Sequence, residues 1–267
     1  MRFSRASPPS RPEPVCYCTG QYIARKGLTV DQTERGPADI EARKRLAVLA
    51  NATADATALM ERGQHETAKG AQTTVPPEEV VEIIGTWPEA ARMGVQQMVL
   101  QYGQPNEATP TKLLWFDRAP WKRIQVTSDQ VVHKFPTPHA DFLTQYIDYE
   151  VPPDKFGELG RYDGSCLIDR TMGEAAARCD SEAANFLTLN LMHEIVTGTR
   201  TVDDARAFYS ETLSAYCLGE SAPHCEGFLF ELPKGGSGDP DQPVPPGPKA
   251  KQITQQVEEF LSASGRS

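Results

Sequence analysis

The stretch His133-Lys-Phe-Pro-Thr-Pro-His139-Ala-Asp141 holds the one tight cluster of side chains that could do chemistry in this chain. Two imidazoles and a carboxylate can hold Zn²⁺ or Fe²⁺ and leave coordination positions open. Water bound at such a position becomes acidic enough to attack an electrophile. The spacing of His133, His139 and Asp141 matches no known ligand pattern. His139 and Asp141 share a direction only if the chain between them is extended, because side chains alternate along a strand. The rival reading is structural: Pro136 and Pro138 stiffen a loop at a strand end, where a histidine and an aspartate cap backbone groups. A divalent metal is the single cofactor for which ligands are offered, and otherwise no cofactor is expected.

Thiols supply a second chemistry. The segments Ser165–Thr171 and Glu174–Cys179 read as a hairpin about Met172-Gly173, which would pair Thr171 with Glu174 and Cys166 with Cys179. Such a rung is a non-hydrogen-bonded pair, where Cα atoms approach most closely, so the two sulfurs would face each other as a thiol switch. Met-Gly is a poor two-residue turn, and a bulged turn would part them. The helix formers of EAAAR could instead begin the next helix early. Cys217 and Cys225 bracket the loop LGESAPH and would close a small ring in an oxidising compartment. Cys16 and Cys18 read as incidental thiols in a tail. Arg170, Glu174 and Arg178 could form a charged strip able to grip a carboxylate or phosphate, although such strips are more often solvated faces.

Other signatures are missing. His193-Glu194 lacks a second histidine four residues on, where Thr197 stands, so the zinc-protease motif is absent. No G-x-S-x-G, P-loop or G-x-G-x-x-G occurs. Trp115 and Trp121 flank Asp-Arg-Ala-Pro and read more readily as core than as a stacking wall.

The elements that must position these groups follow from periodicity. Residues 113–116, 121–127, 131–135 and 142–151 alternate as strands, with Ser128-Asp129-Gln130 as a turn. Helices are expected over 86–102, opened by a Thr86-x-x-Glu89 capping box, over 181–197 behind an Asp180 cap, and over 202–217 behind Thr201. The apolar residues from Phe186 to Ile195 run almost all round their helix, which should therefore be the most buried. The fold class is α+β, with an antiparallel sheet of about five strands against three or four helices. The layout of a helix feeding a hairpin is similar to small lipoprotein modules of the outer-membrane assembly machinery, in arrangement alone. The expected organisation is a disordered tail over 1–36, a helix plus linker over 37–77, one α+β domain over 78–231, a Pro/Gly linker over 232–248 and a terminal helix over 249–267.

Bulk composition narrows the partners. The 267 residues carry 36 Asp and Glu against 27 Lys and Arg, a net charge of −9, and the resulting field repels phosphate backbones, so nucleic acid is not expected. No apolar run approaches the length of a membrane span. The start, MRFSRASPPSRPEPVCYC, has no apolar stretch behind its charges, which favours the cytoplasm, or export if the true N-terminus is longer. The series PWKR, FPTPHAD, DGSCLIDRTMGE, NFLTLNL and IVTG, over roughly residues 86–210, resembles a family of uncharacterised bacterial proteins. That resemblance implies a bacterial source and a single domain there, and it carries no activity, cofactor or site residue. The leading functional expectation is a non-catalytic module that binds a protein or small ligand. The alternatives are a metal-dependent hydrolase or oxygenase built on His133, His139 and Asp141, and the thiol switch.

Overall fold

The structure, a computed structural model, describes residues 41–62, 70–233 and 241–265. The expected tail over 1–36, with Cys16 and Cys18, lies outside the described residues, as do residues 63–69 and 234–240 of the expected linkers. The fold is α+β, and its sheet has six antiparallel strands in the order β1-β2-β3-β4-β6-β5. They are β1 (Glu107–Thr109), β2 (Lys112–Arg118), β3 (Trp121–His133), β4 (His139–Asp148), β5 (Cys166–Asp169) and β6 (Glu174–Cys179). Among the described residues eight α-helices accompany them: α1 (Ala42–Glu61), α2 (Pro77–Ile84), α3 (Glu89–Tyr102), α4 (Phe156–Tyr162), α5 (Glu182–Val196), α6 (Val202–Cys217), α7 (Pro223–Glu226) and α8 (Pro248–Ala263). None of the helices among the described residues is long and apolar enough to cross a membrane.

Two features of the sheet differ from the sequence reading, and both bear on chemistry. The turn expected at Ser128-Asp129-Gln130 is a bulge inside one long strand. Val126 pairs with Leu143 and Val131 with Asp141, so β3 spends five residue steps where β4 spends two. The extra residues are absorbed locally, with the Ser128 amide donating to the Thr111 carbonyl at 3.0 Å. The second difference is the β5–β6 turn. Asp169 pairs with Glu174, leaving four residues in the turn, and Asp169 accepts from the Met172 amide at 3.0 Å. The side chain of Asp169 thus organises a wider turn than Met-Gly alone would make.

Helices α3 and α5 lie on the sheet, α6 and α7 pack on α5, and α1 and α8 pack chiefly against each other. As its apolar circumference requires, α5 is buried along nearly its whole length, from Ala183 to Met192 and at Ile195. The Thr86 capping box does not form. The Trp87 amide closes the end of α2 on the Ile84 carbonyl at 2.9 Å, so α3 begins only at Glu89, behind Pro88. Asp180 likewise gives way to Ser181 as the residue preceding α5, whereas Thr201 caps α6 by accepting from the Asp204 amide at 3.2 Å. Gly103 ends α3 at φ 77°, a conformation that costs a residue without Cβ nothing. Trp115 and Trp121 are core residues, each with its indole N–H bonded: to the Gly103 carbonyl at 2.8 Å and to Glu182 at 2.6 Å.

Candidate metal centre

Beyond the bulge, β3 and β4 run on as a two-stranded arm in which Val131 pairs with Asp141, Val132 with Ala140 and His133 with His139. The chain through His139-Ala140-Asp141 is therefore extended, which is the condition the sequence set for a common direction. Pairing puts His133 opposite His139, and the two-residue period adds Asp141 on the same side. The loop expected to include His139 shrinks to residues 134–138. One ligand atom from each of His133, His139 and Asp141 lies within 4.8 Å of the others. The imidazole rings stand 5.1 Å apart, and His133 and His139 keep 17% and 15% of their side-chain surface open to water while Asp141 keeps none.

The hydrogen bonds around Asp141 divide its two oxygens. Ser165, in the connection from α4 to β5, donates its hydroxyl to Oδ2 at 2.5 Å, and Arg178 Nε stands 3.7 Å from the same oxygen. Oδ1 is buried and makes no hydrogen bond, although His139 Nε2 lies only 3.0 Å away. On the far side of the ring, His139 Nδ1 is 2.8 Å from the Thr137 carbonyl. A carbonyl only accepts, so Nδ1 carries a proton there, and Nε2 is the ring atom turned to Asp141 Oδ1. In the neutral ring Nε2 would present a lone pair to the carboxylate, and a cation between or beside the two would relieve the repulsion.

His133 is equally underused. Its Nδ1 is buried without a hydrogen bond, 3.6 Å from Asp141 Oδ2, while its Nε2 is 3.5 Å from Asp163 Oδ1. Both distances exceed those of a good N–H···O bond. Asp163 is itself steadied by the Ser165 amide at 2.7 Å. Burial raises the Asp163 carboxyl above its ordinary value, and the Asp141 charge adds to the rise, against the opposing pull of Ser165, His133 and Arg206. A carboxylate behind a histidine ligand is the arrangement that orients metal-binding imidazoles. Cys179 Sγ completes the surroundings, 3.4 Å from His139 Nε2 and 3.6 Å from Asp180 Oδ1.

Two of the other expected groupings, the facing pair Cys166 and Cys179 and the strip of Arg170, Glu174 and Arg178, are not brought together. Cys166 pairs with Ala177, and Cys179 pairs with Leu143 of β4, so the two thiols are not opposite each other and both are free. Burial pushes both thiols up, with Asp163 adding to the effect at Cys166 and Asp180 at Cys179. Protonated thiols are poor nucleophiles. Cys217 and Cys225 are also free, and burial raises Cys225 to about 11. The strip of Arg170, Glu174 and Arg178 is dispersed. Glu174 is buried between Lys122 and Arg123 at 2.9 Å each, Arg178 turns to Asp141, and Arg170 meets Asp241. His193 is engaged with the Tyr149 hydroxyl at 2.8 Å and stacked on Phe230.

Asp163 and Ser165 escaped the sequence reading because nothing local distinguishes them from ordinary turn residues. Glu182, which gathers a polar network described below, was hidden as a first-turn acid of α5. The chain matches no family model, no curated protein and no solved structure. What can be said of function therefore comes from the geometry of its own residues.

Proposed function

We propose that the protein binds a divalent transition-metal ion through His133, His139 and Asp141, and that the centre serves metal-assisted hydrolysis. The observation that carries this reading is Asp141 Oδ1, buried without a hydrogen bond and 3.0 Å from His139 Nε2, with His133 Nδ1, also without a hydrogen bond, beside them. Ser165 donates to the other carboxylate oxygen, with Arg178 Nε 3.7 Å from it, so the oxygen without a hydrogen bond is the one beside His139. Three protein ligands leave room for water and substrate, and the partial exposure of both imidazoles gives access. When bound, the ion would lower the pKa of its water and polarise a substrate oxygen. This chain's residues would do the rest: Asp163 orients His133, Thr137 fixes the His139 tautomer, and Ser165 holds Asp141.

The thiol switch loses ground to this reading, since Cys166 and Cys179 are displaced by one rung pair and held protonated by burial. The test is the metal content of protein purified without a chelating tag, with Co²⁺ absorption as a second readout. The parent should hold or take up close to one ion per chain, and His139→Ala and Asp141→Asn should lose it. A folded parent that neither contains metal nor develops Co²⁺ bands on titration ends the proposal.

A further inference from the structure

Away from this centre, one carboxylate is treated differently from its neighbours. Glu174 is held by Lys122 and Arg123, Asp148 by Lys122, and Glu194 by Arg200 and His224. Among the described residues Glu182 has no cationic partner. Its Oε1 instead accepts from three neutral donors: the Tyr102 hydroxyl at 2.6 Å, Trp121 Nε1 at 2.6 Å and Gln145 Nε2 at 2.7 Å. Among the described residues its Oε2 accepts nothing. Neutral donors and the partial positive charge at the N-terminus of α5 hold the carboxylate in place without supplying a full counter-charge.

Glu182 lines an open groove of 1360 Å³ bounded by α3, the β2–β3 turn, the start of α5 and the chain from Cys225 to Leu232. Its walls mix polar groups, Gln97, Gln101 and Ser181 among them, with an apolar and aromatic side formed by Met98, Phe186, Phe228 and Phe230. Phe186 and Phe228 pack edge to face at 5.0 Å, and Phe228 and Phe230 stand 5.3 Å apart, which makes a stiff aromatic wall. Among the described residues the charged ones on the lining are Glu182 and Glu226, and no lysine, arginine or histidine joins them.

We propose that this groove binds an organic cation, an amine or quaternary ammonium group carried on an apolar body. The head takes the position opposite Glu182 that no side chain of the protein fills, and the body lies on the phenylalanine wall. Ring faces attract a cation through their quadrupole, and the attraction strengthens where water is displaced. The same groove disfavours anions, for which it offers two like charges and no counter-charge. The volume is ample for a small ligand.

The test compares phenethylammonium, 2-phenylethanol and 3-phenylpropionate, which share a ring and differ in charge, by NMR titration of the ¹⁵N-labelled full chain with EDTA present. Chelator keeps the outcome independent of the metal centre. The chain has three tryptophans. The indole N–H of Trp121 is bonded to Glu182, whereas that of Trp87 is bonded to the Pro110 carbonyl. Phenethylammonium should move the Trp121 indole signal and leave that of Trp87 still. It should bind about tenfold more tightly than 2-phenylethanol, the factor expected of one cation–π and charge contact. Phenylpropionate should not bind. Glu182→Gln should bring the ammonium down to the level of the alcohol, and Phe230→Ala, at a partly exposed ring, should weaken the ammonium and the alcohol together. Equal affinity for all three probes, no shift of Trp121 with the ammonium, or a charge preference that survives Glu182→Gln overturns the proposal. If Glu182→Gln does not fold, the three-probe comparison on the parent decides alone.

Discussion

Gly94 in the middle of α3 tests whether the packing that supports the metal arm is as tight as its geometry says. A Cβ at this position would lie 2.5 Å from Phe142 Cε2 and 3.2 Å from Phe142 Cδ2. Carbon atoms in contact rest at about 3.5–4.0 Å, so Gly94→Ala creates an overlap of about 1 Å with a ring that is 3% exposed and cannot swing into solvent. Helix propensity favours alanine over glycine by about 1 kcal/mol. Overpacking a filled core costs about 1–3 kcal/mol, and an overlap this large belongs at the upper end. The net expectation is a variant about 1–2 kcal/mol less stable than the parent by urea denaturation, with an unchanged m-value. Phe142 directly follows Asp141, so the strain should also weaken metal binding. Phe142→Leu alone removes buried surface and should destabilise, but in the Gly94→Ala background it relieves the overlap. The double-mutant cycle should therefore show a favourable coupling of about 1 kcal/mol or more. A Gly94→Ala protein as stable as the parent, or more so, would show that α3 and β4 are farther apart than described.

Further expectations follow from the ionic groups. Glu174→Gln removes the charge that Lys122 and Arg123 share inside the sheet, where all three side chains are less than a fifth exposed. The loss should be about 3 kcal/mol in chemical denaturation, and a change below about 1 kcal/mol would mean the pair is solvated. His193 titrates below its ordinary 6.5 because burial disfavours the imidazolium, against a smaller opposite pull from Glu194. A depressed value means the unfolded chain takes up the proton first. This contribution is therefore present above pH 6.5 and is lost as pH falls through the folded value. His193→Gln should flatten the stability profile in that window, and an unchanged slope would count against it. Glu194 is also depressed: burial raises it, but the bonds from Arg200 and His224 more than reverse that. Its contribution is present above its ordinary 4.5 and is lost on further acidification, so Glu194→Gln should remove part of the slope below that point.

Much of the fold was legible from local pattern. The all-round apolar run from Phe186 to Ile195 announced the central helix, and alternation through Trp115 and Trp121 announced the sheet. The choice of His133, His139 and Asp141 rested on residue type, which needs no knowledge of contacts. Register was a different matter. The residues Ser128-Asp129-Gln130 have turn chemistry, and such chemistry is satisfied as well by a bulge as by a reversal. The pairing of β3 with β4 on both sides is what selects the bulge. The same holds at Met172-Gly173, where Asp169 widens the turn and moves Cys166 away from the rung of Cys179.

By itself, then, the sequence determined the main helices and most of the strands, that the sheet is antiparallel, and which side chains could carry chemistry. These depend on periodicities of two and 3.6 residues that each segment expresses alone. Tertiary structure alone decided that His139 faces Asp141, that Ser165 and Asp163 stand behind them, and that Glu182 meets Tyr102, Trp121 and Gln145. Those meetings join residues from 2 to 80 positions apart. Distances of that kind are set by how strands register and helices pack, and short-range pattern does not encode them.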